Sequence, residues 1–391
     1  MVRTILLVAA LSGCFTGWLG RAAASGTATE VRRGGSVPGG SVVGAEGVAL
    51  RDKVRQVLRI HFQRSLNSRD HSPWAIMHSV IAFGVDTQIR LGGPQGTPVT
   101  AIGWLCFNRN TRGQQLFFPV DQGFGVHHGP GLQGHNGQLL SILAQAHVMP
   151  DYAIQVGGRD FTVADLVEYE KRTCVARTEL TFKLIGLSHY LDLNATWQCR
   201  NGEQWSIPRL IREELAQPIQ GATCGGTHRL MGLSYALRTR AKRGEPIVGE
   251  YHRAQIFVQD YHQYTFRLQN QDGSFSTDWY RGRENRPDPV RKLQTTGHIL
   301  EWLAYSLPRQ ELEDGRTIRA VDFLSSLILA GGDREWEIGS LGHALHALVL
   351  YDQRVFGGTA DDYRPILPPA QAVAATPPGK APATPPGPGP N

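Results

Sequence analysis

The sequence predicts an all-α domain: an α/α toroid, an irregular ring of helical hairpins, with a small β-hairpin inserted. Two observations carry this reading. First, one helix recurs. In His228-Arg-Leu-Met-Gly-Leu-Ser-Tyr-Ala-Leu237 and His298-Ile-Leu-Glu-Trp-Leu-Ala-Tyr-Ser-Leu307, leucine falls two, five and nine residues after the histidine and tyrosine falls seven after it. A third copy starts at His343, with Leu345 and Leu348, and a weaker one at His135, with Leu140. Another starts at Phe182, with Leu184, Leu187 and Leu191 in register and His189 at the tyrosine position. The anchors are separated by 47, 46, 70 and 45 residues, and a period near 45 leaves room for a second helix and two loops per unit. Second, from residue 162 onward the recurring helices, rich in Leu, Ala and Gly, alternate with longer and more charged ones. Such alternation suits a two-layer ring with the recurring helices inside.

Residues 1–24 read as an export signal. Arg3 supplies the positive end, Ile5 to Ala10 is apolar, and Ala22-Ala23-Ala24 gives a small-residue cleavage pattern before Ser25. Leu11-Ser12-Gly13-Cys14 resembles a bacterial lipobox, which gives a second reading with a lipid anchor at Cys14. Either way the protein is expected to be exported, to the periplasm, the cell envelope or the medium. Residues 25–47, rich in Gly, Ser, Ala and Val, read as a flexible lead-in. At the other end, residues 359–391 form a Pro- and Ala-rich tail with Thr-Pro-Pro-Gly twice, which cannot bury enough apolar area to offset its ordering. The net charge of +6 is spread along the chain, which gives weak support for an acidic partner and none for nucleic acid.

The folded domain is placed at 48–358. Val48 to Leu66 is a helix by its stripe of Val54, Val57, Leu58 and Phe62. Ser72-Pro73 starts a second helix, since serine caps and proline fits the first turn; it runs to Phe83 and stops near Gly84. Pro98 to Phe107 and Gln114 to Val120 are short apolar runs flanking Asn108 to Gly113, a hairpin signal that places the insertion at about 98–120. Helices follow at Gly137 to His147, around Asp165 to Tyr169, Ile207 to Leu215, Tyr251 to Leu268 and Ile318 to Leu329. Cys106, Cys174, Cys199 and Cys224 allow three disulfide pairings, or stand as buried thiols. Cys199 to Gln204 is too widely spaced for a thioester.

Leu268-Gln-Asn-Gln-Asp-Gly-Ser-Phe275, followed by Trp279, resembles the Gln-rich, Asp-Gly-aromatic loop of the terpenoid cyclase and protein prenyltransferase superfamily of α/α toroids. The helical rhythm extends the resemblance over residues 48–352. It implies the toroid fold. The Asp-rich motif of the cyclases and the zinc-binding Asp-x-Cys of the prenyltransferases are missing, so it does not imply their chemistry. The same fold hosts polysaccharide lyases, glycosidases and binding domains.

Three places could carry chemistry. His135, His228, His298 and His343 are expected at the starts of inner helices and hence at one mouth of the ring, lining a pocket that acts on a ligand directly or through a metal, or else bracing the preceding loops. Neighbouring helices sit about 8–10 Å apart and metal–nitrogen bonds are ~2.1 Å, so two adjacent histidines could share an ion but four spread round a ring could not. The glycine-rich loop from Asp121 to His135 contains Asp121, His127 and His128, an Asp–His combination suited to a general base. The long loop 272–294 carries Asp278, Trp279, Tyr280, Arg281 and Arg283, aromatic faces and guanidiniums suited to acidic sugars. Asp121, His128, His135, His228 and His298 are therefore the candidate catalytic groups, and the five loop residues the candidate substrate contacts. No cofactor is specified. The expected function is a glycan-active lyase or hydrolase of the cell envelope, its partner an acidic glycan or other envelope ligand; the alternative is a non-catalytic binding or scaffold protein.

Overall fold

A computed structural model describes residues 44–364. The export signal, Cys14, residues 25–43 of the lead-in and the tail from 365 lie outside the described residues.

The chain is mostly helical, with four small sheets. The helices are α1 (Ala45–Gln63), α2 (Pro73–Phe83), α3 (Ala101–Cys106), α4 (Gln138–Gln145), α5 (Val163–Arg172), α6 (Thr181–Tyr190), α7 (Ile207–Leu215), α8 (Thr227–Lys242), α9 (Glu250–Arg267), α10 (Pro289–Ser306), α11 (Arg309–Leu312), α12 (Gly315–Ala330) and α13 (Ile338–Tyr351). Their starts follow local chemistry. Ser72 Oγ accepts the Ala75 amide ahead of Pro73, Ser206 Oγ accepts that of Arg209, and the Asp288 carboxylate accepts those of Val290 and Arg291. Because Asp288-Pro289 starts α10, His298 lies in the middle of that helix rather than at its start.

The expected hairpin is displaced. Pro98–Thr100 is a strand, but it pairs with Gln88–Arg90, and the chain then turns into α3, which buries Ala101, Ile102, Leu105 and Cys106. A short apolar run buried on every side carries no period that separates strand from helix. The strand Phe117–Val120 pairs instead with Gly123–Val126, so the glycines of the loop 121–135 serve first as hairpin. Two further hairpins, 153–162 and 196–206, precede α5 and α7.

Helix packing has a simple order: α2 packs on α13, α13 on α10, α10 on α8, α8 on α6, α6 on α4 and α4 on α2. The remaining long helices cover these six: α1 packs on α12, α12 on α10, α9 on α8 and α7 on α9. The repeat explains the burial. Leu140, Leu187, Leu233, Leu303 and Leu348, all five residues after their anchors, are 0% exposed. Tyr235 and Tyr305, seven after theirs, stack in parallel with ring centroids 5.5 Å apart. Close approach of α10 to α13 depends on Gly297, where a Cβ would lie 2.9 Å from that of Ala344. Two buried ion pairs tie helices across the layers: Lys183 of α6 with Glu170 of α5, and Arg229 of α8 with Glu214 of α7. Glu214 also accepts the Leu180 amide and the Thr181 hydroxyl, so its lone pairs are filled.

Both domain boundaries move outward. α1 begins at Ala45. At the other end, Tyr363 is buried and its hydroxyl donates to Asp352 Oδ2 at 2.6 Å, while Arg55 reaches both Asp352 and Asp362. Residues 359–364 therefore belong to the folded body. Cys106, Cys174, Cys199 and Cys224 are free thiols, and no helix among the described residues is long and apolar enough to cross a membrane.

Candidate metal centre

The six mutually packed helices each bring one ring to a common layer. These are His78 of α2, His135 just before α4, Phe182 of α6, His228 of α8, His298 of α10 and His343 of α13. His228 occupies the middle. Its ring centroid lies 5.3 Å from His135, 5.1 Å from Phe182, 5.6 Å from His298 and 5.3 Å from His343. His298 and His343 are 4.0 Å apart, and His343 and His78 are 5.6 Å apart. Three of the imidazoles, with Phe182, therefore meet around His228, and His78 joins the layer through His343, which helix spacing alone did not suggest: the side chains reach across the gaps.

The hydrogen bonds of this layer share one pattern. Nδ1 of His78 bonds the Trp74 carbonyl at 2.7 Å, and Nδ1 of His298 bonds that of Gln294 at 2.7 Å. Nδ1 of His135 meets Glu179 at 2.6 Å, and Nδ1 of His343 meets Glu301 at 2.8 Å. Each outer acceptor fixes Nδ1 as the donor and leaves Nε2 as a bare lone pair without a partner in the described chain, the arrangement that orients metal-binding imidazoles. His228 differs: both of its nitrogens are buried and neither has a partner. A neutral imidazole carries one donor and one acceptor, and leaving both unmade in a buried site costs about 1–3 kcal/mol per group.

Electrostatics keep His78, His228 and His298 neutral. Burial, reinforced by His343, pushes His228 and His298 well below the ordinary imidazole range, and pushes His78 down to about 3. Neutral imidazole is the form that binds metals. Cys224 sits beside the layer on the turn before α8, with φ 49, a left-handed conformation uncommon outside glycine. Burial pushes its thiol up to about 12, and Glu179, Glu301 and Glu337 act in the same direction. The site thus gathers lone pairs and carboxylates, opposed at Cys224 by Arg291, and a thiol that a coordinating cation would deprotonate.

Two sets of donors are close enough to hold an ion: Cys224, His228 and His298, and His135, Glu179 and His228, with the atoms of each set within 4.8 Å of one another. A tetrahedral zinc site needs ligand separations of roughly 3.4–3.7 Å, so about an ångström of side-chain adjustment closes either set. Glu301 organises the far side. It takes Nδ1 of His343 on one oxygen and Nδ1 of His346, at 2.6 Å, on the other. Burial alone would raise its carboxyl, but these two histidines hold it well below the usual carboxylate range.

Trp279 covers one edge. Its ring meets His298 edge-on at 5.7 Å and lies on Gly225, where a Cβ would be 2.3 Å from it; Arg291 stands 5.2 Å from its face. The other predicted residues fall elsewhere. Tyr280 is buried in the core, its carbonyl accepting Tyr264 and Gln220, so it does not face a ligand. Asp278 and Arg281 face solvent 3.9 Å apart, and Arg283 donates to the Arg267 carbonyl. Asp121 is exposed at the hairpin turn, its carbonyl accepting Arg159, and no hydrogen bond joins it to a histidine in the described chain. His127 stacks on Phe118, and His128 Nε2 lies 3.4 Å from Gln133.

His78, Glu179, Cys224, Glu301 and His346 were missed. Two carried a readable signal: Glu301 and His346 follow His298 and His343 by three residues, which places each pair on one helix face. His78 occupies the anchor position of α2, where Val80 stands two residues on but the leucines that mark the other copies do not recur. No protein-family model, no curated protein and no solved structure matches the chain.

Proposed function

We propose that the chain is an exported α/α-toroid metalloprotein whose imidazole layer holds a divalent cation of the zinc class, with Cys224, His228 and His298 as ligands. The carrying observation is His228, whose two buried nitrogens have no partner in a site otherwise furnished with oriented donors. The helix contacts, which return from α4 to α2, support the toroid, as does the resemblance of the 268–275 loop. Export rests on the character of residues 1–24.

Three protein ligands leave a fourth position, the pattern of catalytic zinc rather than closed structural sites. A bound ion there would supply Lewis acidity. Glu179, held by His135 at 2.6 Å, stands next to it as proton acceptor, which suits hydrolysis or elimination. An acidic envelope glycan remains the proposed substrate class, with Trp279 at the rim. One observation favours the second reading, a non-catalytic envelope protein stiffened by its ion: His228 is buried and Trp279 meets His298 edge-on.

Purified full-length protein stripped with chelator should take up one Co(II) per chain and show the thiolate charge-transfer and tetrahedral ligand-field bands. Cys224→Ser should lose the thiolate band and His228→Ala should lose tight binding. A parent that binds no Co(II) refutes the metal reading. Zinc-dependent cleavage of acidic glycans distinguishes the enzyme from the scaffold.

A further inference from the structure

At the C-terminal ends of the same six helices lies a basin of about 500 Å³. Arg238, Lys242, Arg243 and Arg354 line it, together with His147 and His189. We infer that this basin is a binding site for a small ligand bearing two or more negative charges on oxygen, either a phosphate or a polycarboxylate. This inference does not depend on the metal reading.

The first support is that the cations lack counterions. None of the four forms an ion pair with a carboxylate in the described chain. Arg238 Nη1 donates to the Tyr305 carbonyl at 2.6 Å, and its guanidinium lies 4.9 Å from the Tyr305 ring. Arg354 donates to the carbonyls of Ala304, Tyr305 and Leu307 at 2.6–3.0 Å. Arg243 donates to those of Leu191, Ser188 and His189 at 2.7–3.3 Å. Lys242 has no hydrogen-bond partner among the described residues. One carboxylate lines the basin, that of Asp86, and Arg364 occupies it.

These carbonyl contacts have a structural purpose of their own. They cap the ends of α6 and α10, where the helix dipoles place partial negative charge. That offsets part of the cationic charge and, more usefully, locks three guanidiniums in place. Capping with one or two nitrogens leaves further N–H donors of each guanidinium unused, and Lys242 caps nothing. A pre-positioned set of donors binds an oxyanion without first losing side-chain freedom.

The second support is mutual crowding. Burial, then the charge of Arg238, lowers Arg354 to about 10 and also lowers Lys242. Burial, then His147, Arg243 and Lys242, takes His189 to about 4. These groups repel one another in a concave, partly desolvated space, and an anion relieves that repulsion. At about 500 Å³ the cavity has room for a phosphate monoester or a di- or tricarboxylate.

The test uses the full chain and two probes, inorganic phosphate and citrate, each titrated calorimetrically against sodium chloride at matched ionic strength. Saturable binding of one probe at one equivalent is expected, and the tighter probe identifies phosphate or carboxylate as the ligand class. Lys242→Gln, which disturbs no hydrogen bond, should weaken that binding about tenfold, as expected for loss of one charged hydrogen bond, and Lys242→Glu should weaken it further. Co(II) uptake should be unchanged in both variants, which separates this result from failure of the metal reading. Responses no larger than those to chloride, or affinities unaltered in Lys242→Glu, would overturn the inference.

Discussion

Replacing His228 by leucine should stabilise the metal-free protein, although it changes a buried side chain at the centre of the imidazole layer. The imidazole carries two buried nitrogens without partners. At about 1–3 kcal/mol for each unmade bond, removing both is favourable by roughly 2–6 kcal/mol. Leucine is close to imidazole in volume and keeps apolar contact with Phe182, now 5.1 Å from the imidazole centroid; such shape changes usually cost under about 1.5 kcal/mol. The variant should therefore be more stable than its parent by about 1–4 kcal/mol in chelator, read as the midpoint of urea unfolding at constant m-value. Zinc should then narrow the gap, and reverse it where it is under about 2.7 kcal/mol. An ion present at about 100 times its dissociation constant stabilises the parent by about 2.7 kcal/mol and leaves the variant where it was. If His228→Leu is less stable than its parent in chelator and zinc moves neither, the imidazole is a packing element and the reasoning fails.

Leu303→Ala should cost about 2–5 kcal/mol, the usual range for a core cavity, because Leu303 is fully buried on α10 between packed helices; an unchanged unfolding midpoint would remove the basis for reading the repeat as an inner layer. Acid should also destabilise the protein. Burial lowers His61 and His262 from 6.5 to about 4, so between those pH values the unfolded chain holds protons that the folded chain does not. Unfolding free energy should therefore fall as pH drops through 6.5 and level off below about 4, by about 3 kcal/mol for each group at the full extent. In His61→Gln that slope should be shallower, and a slope equal to the parent's would remove His61 from the account.

The repeat was legible because it is written in leucines that burial demands. Leu233, Leu303 and Leu348 answer to one spacing, and the same spacing gives His228, His298 and His343 equivalent positions in the repeat. Three things hid the rest. Apolar runs such as 101–106 are buried on nearly every side, so the period that separates strand from helix is erased. A side chain's reach is not a sequence property: helices too far apart to share a ligand by their axes meet through imidazoles that all lean inward. And Tyr280 shares a loop with Trp279 yet points the other way, since Trp279 adopts φ 57 and reverses the chain between them. Tyr363 was assigned to the tail by the proline-rich composition that follows it, whereas Asp352, an acceptor eleven residues earlier, fixes it in the fold.

Glu301 has a consequence for communication across the molecule. His343 faces the imidazole layer, His346 lines the cationic basin at the other end, and both donate to this one carboxylate. A cation held by Cys224, His228 and His298 would lie beside His343 and would draw the Glu301 carboxylate toward that side, loosening its hold on His346. A negative charge arriving in the basin acts on His346 in turn. With both ligands bound, whatever factor one imposed on the other's affinity would have to be returned in kind, and Glu301, paired with His343 and His346, would be a group through which that coupling passes.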